Sequence, residues 1–156
     1  MGAYDKLAEF EDAGTVGDNA ASTNIVDMEV VNSQIGVGGD VWLCIRTNTA
    51  TTDALDSISI ELQNDADDAF SDPTVIFAIN ATDTTELTMA AGTKFATNGA
   101  WILRCTLPYE VNERYLRLYY RSSTSNGSVV LDAWLQAEPP ASDFGVQVIQ
   151  SPVGNP

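Results

Sequence analysis

Along Ser57-Ile-Ser-Ile-Glu-Leu-Gln63 apolar and polar side chains alternate at every step, with Ile58, Ile60 and Leu62 on one side and Ser57, Ser59, Glu61 and Gln63 on the other. Successive side chains of a strand point to opposite faces, so this stretch reads as a half-buried antiparallel strand. The same period of two recurs over 41–47, 74–79, 85–90, 100–107, 114–122 and 128–136, and more weakly over 24–31. Turn-rich pieces separate these runs, at 36–40, 48–56, Asn98-Gly99 and 122–127. About eight short strands at this spacing predict an all-β chain, a single-domain antiparallel β-sandwich of jelly-roll type. Residues 3–12 alone have helical character and predict a short N-terminal helical segment.

The stretch from Glu113 to Leu135 reads as two alternating strands around a polar loop that ends in Asn126-Gly127, a β-hairpin with a loop longer than two residues. Leu116, Leu118 and Tyr120 then face the core opposite Val129, Leu131, Ala133 and Leu135. The outward set is Tyr115, Arg117, Tyr119 and Arg121 on one strand and Val130, Asp132 and Trp134 on the other. Four of the seven cations, Arg104, Arg114, Arg117 and Arg121, fall in one 18-residue window, interleaved with aromatics. Those residue types are enriched at interface cores, which marks Tyr115, Arg117, Tyr119, Arg121 and Trp134 as interface candidates. Leu7 and Phe10 form a second candidate set, as apolar anchors of the N-terminal segment. After residue 136 the character changes, and residues 137–156 hold four of the six prolines. This divides the chain into a β domain over 1–136 and an extended C-terminal arm, in which Val146 to Ile149 can pair with a sheet edge.

Composition excludes whole classes of function. With 22 acidic and 7 basic side chains the 156-residue chain carries a net charge of −15. Such a field repels phosphate backbones and anionic bilayers, so neither nucleic acid nor membrane is expected as a partner. No apolar run approaches the ~20 residues of a spanning helix. The N-terminus has neither the basic start nor the apolar middle of a secretory signal, and Lys6 breaks a myristoylation pattern. There is no histidine, hence no Ser-His-Asp or Cys-His catalysis and no imidazole ligand. Cys44 and Cys105 lie in apolar strand-like runs, which favours buried thiols over a disulfide. Neither enzymatic activity nor a cofactor is expected.

The stretch LQNDADDAFSDP packs acids densely enough to suggest calcium, with Asp65, Asp67 and Asp68 as the ligands. An EF-hand loop needs alternating oxygen ligands, a glycine at the turn and a closing glutamate. This loop has none of the three beyond one step of alternation. The favoured reading is therefore an acidic loop in which Asx side chains support turns, Phe70 plugs back into the core and Asp72-Pro73 opens the next strand.

Four short pieces in order carry a resemblance. They are D-K-L-x-E-F-x-D-A from Asp5 to Ala13, A-S-T-N-I-V-D from Ala21 to Asp27, the L-Q-x-D-x-D-D-A-F-S-D-P loop from Leu62 to Pro73, and R-Y-L-R-L-Y-Y from Arg114 to Tyr120. In this order they resemble the capsid cement, or decoration, proteins of short-tailed double-stranded DNA phages, from about residue 4 to 136. The resemblance implies a small β-rich structural protein on the exterior of the virion, made in the host cytoplasm. Its implied partners are the phage major capsid protein and its own copies, as dimers or trimers, and it binds across junctions between capsomers. The competing expectation is a carbohydrate- or receptor-binding β-sandwich module of a fibre or surface protein, in which Trp42, Trp101 or Trp134 stacks on sugar rings. Which face of its strand Trp42 occupies is open at this level, since Val41, Leu43 and Ile45 or Trp42 and Cys44 can point inward.

Overall fold

A computed structural model describes residues 8–16, 19–29, 41–50, 58–80, 97–108, 111–122 and 129–137. Nine strands lie among the described residues: β1 (Glu9–Thr15), β2 (Ala20–Ala21), β3 (Val26–Asp27), β4 (Trp42–Thr49), β5 (Ile58–Asp65), β6 (Thr74–Asn80), β7 (Trp101–Thr106), β8 (Tyr115–Ser122) and β9 (Val130–Gln136). They form two antiparallel sheets. Sheet A has the order β1-β9-β4-β7, and sheet B the order β2-β8-β5-β6, with β3 also paired to β8. The expected strand over 85–90, the polar loop before β9 and the arm beyond residue 137 lie outside the described residues.

Both sheets contribute to one hydrophobic cluster. Phe10, Leu43, Ile45, Leu103, Leu131 and Leu135 enter it from sheet A, and Val26, Ile60, Leu62, Ile79, Leu116 and Leu118 from sheet B. Each of these side chains is almost wholly buried, and each stabilises the fold by about 1.5–3 kcal/mol relative to exposure. Along β4, β5, β8 and β9 alternate residues enter this cluster, which is why a period of two dominates the sequence.

Three expectations change. Of the helical segment expected over 3–12, residues 9–12 are strand, since β1 pairs with β9 as an edge strand of sheet A, and residues 3–7 lie outside the described residues. Acidic residues in the segment mimic the polar face of a helix. In fact Glu11 turns inward, where the Tyr120 hydroxyl (3.1 Å) and the Thr23 N–H (3.0 Å) donate to its Oε1. Two register shifts in β1 accommodate this, and at the second the Ala13 N–H donates to Asp132 Oδ1 at 3.0 Å.

The second change concerns β8 and β9, which are not a hairpin. β8 pairs with β2, β3 and β5 in sheet B, whereas β9 pairs with β1 and β4 in sheet A. The connection crosses from one sheet to the other. The core faces are still as expected, because Leu116, Leu118 and Tyr120 meet Val129, Leu131, Ala133 and Leu135 in one cluster.

The third change is on β5, which is buried on both faces. Glu61 is 7% exposed and Gln63 2% exposed although both point away from the core. Something covers the outside of this strand.

Candidate interaction faces

The covering layer on sheet B is built by β8 and by the acidic loop after β5. Arg121 forms an ion pair with Glu61. Gln63 Nε2 donates to Glu61 Oε2 at 2.7 Å, and Arg117 Nε donates to Gln63 Oε1 at 2.8 Å. Arg117 is pinned in a stack, its guanidinium 4.2 Å from the Phe70 ring centroid and 5.2 Å from that of Tyr119. Arg121 closes the series, its guanidinium 5.0 Å from the Tyr119 ring centroid. The order Phe70, Arg117, Tyr119, Arg121 alternates rings and guanidinium groups, each contact stabilising by about 0.5–1 kcal/mol where exposed. Burial pulls the Arg117 guanidinium below the usual arginine value, and the nearby Tyr119 and Asp65 act in the opposite sense. The Tyr119 hydroxyl donates to the Asn19 carbonyl at 2.9 Å, tying the stack to the segment before β2. At the end of β8, Arg114 clasps Asp27 through Nε (3.0 Å) and Nη2 (2.7 Å), and its guanidinium lies 5.0 Å from the Tyr115 ring centroid.

The acidic loop is organised by its own aspartates. Asp65 Oδ1 accepts from the Asp67 N–H and Asp65 Oδ2 from the Asp72 N–H, both at 3.0 Å, while Asp67 Oδ1 accepts from the Ala69 N–H at 3.0 Å. These are Asx turns of the kind expected from the sequence. The amide of Asp67 is the main reason that the Asp65 carboxyl titrates below its ordinary range; burial opposes this and the Asp72 amide adds to it. Both oxygens of Asp65 are engaged by amides, and Asp65, Asp67 and Asp68 do not form a carboxylate cage. Among the described residues no group of three His, Cys, Asp or Glu side chains is placed to hold a metal ion. Phe70 is 6% exposed, but it packs outside sheet B under Arg117 and not in the core between the sheets. Its φ of 50° is sparsely populated for a bulky residue and is held by the bond from its N–H to the Asp67 carbonyl (3.1 Å).

The outer face of sheet A is a second aromatic layer. Trp42, Cys44 and Arg46 of β4 point away from the core together with Trp134 of β9, its neighbour in register at Cys44, and Trp101 of β7, its neighbour at Arg46. All three tryptophans of the chain therefore share one face. Trp101 and Trp134 contact each other at 5.7 Å with their planes tilted by 52°. Arg46 lies 5.4 Å from the Trp134 centroid and Arg104 lies 5.0 Å from that of Trp101. Asp132 holds Arg46 at 2.8 Å and accepts from Asn48 Nδ2 at 2.9 Å. Beneath this layer Cys44 is fully buried, and burial pushes its thiol up to about 12, with Cys105 likewise at about 12. Both cysteines are free.

The interface candidates are thus redistributed. Tyr115, Arg117, Tyr119 and Arg121 share the outside of sheet B, whereas Trp134 belongs to the opposite outer face and is 4% exposed. The error follows from the supposed hairpin, which would have set β8 beside β9. Phe10 is wholly buried between the sheets and is a core residue, not a surface anchor. Leu7 lies outside the described residues. Phe70, Glu61 and Gln63 belong to the sheet B layer and were missed. The signal for them was the polar side of β5, which has the same spacing as the cations of β8.

The Bbp16 family model matches residues 10–130, well over half of the chain. The chain belongs to the Bbp16 family, which places it among phage-related proteins. No curated protein matches it.

Proposed function

We propose that this protein is a structural component of a phage virion, a cement or decoration protein that binds the outer surface of the capsid and stabilises contacts between capsomers of the major capsid protein. The observation that carries this reading is membership of a phage-related family over residues 10–130. The ordered motifs from Asp5 to Tyr120 support it from the sequence side. We read the two sheets as a jelly-roll sandwich. The orders β1-β9-β4-β7 and β2-β8-β5-β6, with the chain crossing repeatedly between sheets, support that architecture. The role is mechanical and needs neither a reaction nor a cofactor. A net charge of −15 suits an exterior position away from the genome. Each subunit needs only modest affinity, since many copies engage one shell. The stacked face of Tyr115, Arg117, Tyr119 and Arg121 is the proposed contact, with the shell or with a second copy in a dimer or trimer.

The gathering of Trp42, Trp101 and Trp134 on one face favours the carbohydrate-binding alternative more than their sequence positions do. Two of the three rings are, however, already covered by Arg46 and Arg104. Sugar stacking needs an open ring face, so the cement reading is preferred. A glycan array separates the two, together with sedimentation of the protein with empty capsids. A blank array with saturable co-sedimentation is expected, and glycan binding with no capsid association would reverse the assignment.

A further inference from the structure

We infer that the outer face of sheet B receives a carboxylate side chain from the shell protein, and that Arg117 is the group that takes it. The inference rests on the capsid-binding reading and specifies the chemistry of its contact. Among the described residues, Arg46, Arg114 and Arg121 each hold a carboxylate of their own chain: Asp132, then Asp27 with Glu29, then Glu61. Arg117 holds none. The one hydrogen bond of its guanidinium to a described residue runs from Nε to Gln63 Oε1. In a chain with 22 acidic side chains such an arginine is conspicuous.

The neighbouring acids are committed elsewhere. Glu61 is taken by Arg121 and Gln63, and Asp65 by the amides of Asp67 and Asp72. Phe70 and Tyr119 flank the Arg117 guanidinium, and Gln63 holds its Nε. Its Nη1 and Nη2 make no hydrogen bond to a described residue, which leaves their edge as a fork. A fork of this geometry matches a carboxylate with two parallel hydrogen bonds, and its prior ordering lowers the entropy lost on binding. Repulsion from the rest of an acidic molecule sharpens the choice of site, because a partner acid is attracted only where a cation is available. The positive φ at Phe70 places the ring that flanks the fork.

The test is binding to purified empty capsid shells of the cognate phage by co-sedimentation, for the wild type and for Arg117→Gln, Arg117→Lys and Arg114→Gln. Arg117→Gln and Arg114→Gln change the net charge equally, but Arg114 is already paired with Asp27 and Glu29. Arg117→Gln is expected to weaken binding by at least about tenfold, and Arg114→Gln by less than about twofold. Arg117→Lys retains the charge and a stacked stem but not the planar fork, and most of the loss is expected to persist. Near-wild-type binding by either Arg117 variant, or equal losses at Arg114 and Arg117, would overturn the inference while leaving capsid binding in place. Failure of the wild type to bind shells would instead overturn the functional reading on which the inference rests.

Discussion

At the scale of single residues, two positions show how polar groups and small residues are used to set the backbone. Asp65 anchors the acidic loop through the amides of Asp67 and Asp72. Its carboxyl titrates lower in the folded chain than in the unfolded one. Its contribution to stability is therefore present above the unfolded carboxylate value and lost as pH falls through the folded one. Melting temperature against pH for wild type and Asp65→Asn is expected to give curves that are separate at neutral pH and converge in acid. Curves that stay parallel would mean that the charge of Asp65 does not support the loop. At Gly14 a methyl group would come 1.7 Å from Glu11 Oε2 and 3.1 Å from Glu11 Cβ. Gly14→Ala should therefore push the Glu11 carboxylate off the Tyr120 hydroxyl and the Thr23 amide, at a cost of about 1–3 kcal/mol. Denaturant unfolding checks this, and adding Glu11→Ala should recover part of the loss, because the two positions share one space.

At the scale of strands, the alternation in the sequence was sufficient to place β4 to β9 within a few residues and to assign most inward side chains. It carried no information about which strand pairs with which. Two alternating strands around a polar loop look the same whether they pair with each other or pass to opposite sheets, as β8 and β9 do. The consequence was a false union of Trp134 with the arginine strand. β1 was missed because its inward Glu11 breaks the alternation that identifies a strand. β2 and β3 are two-residue pairings, below the length at which a period is detectable. The double burial of β5 was equally invisible, since it depends on Arg117 and Arg121 folding over polar residues from a neighbouring strand. β5 lies between β6 and β8, and β4 between β7 and β9. Hydrogen exchange should accordingly find the slowest amides in β4, β5, β8 and β9, with β1 and β7 exchanging through smaller openings. Earlier exchange of β5 than of β1 would contradict the layered arrangement. Leu118→Ala, which empties a site filled from both sheets, should cost about 2–5 kcal/mol in denaturant unfolding.

At the scale of the whole molecule, two antiparallel sheets share one hydrophobic cluster and carry aromatic and arginine side chains on their outer faces. Burial of Cys44 and Cys105 raises both thiols to about 12. That contribution is complete below the unfolded thiol value and is lost as pH rises through the folded one. The native protein should accordingly resist thiol reagents at pH 8, react fully once unfolded, and lose stability towards pH 12. The chain contains no histidine, and it belongs to a phage-related family. Adhesion to a capsid is tested by adding the purified protein to empty cognate shells and measuring bound copies together with the temperature at which the shells break. Saturable binding to the shell exterior and a higher disruption temperature are expected. Shells that break at the same temperature, with no protein bound at saturating concentration, would contradict capsid adhesion.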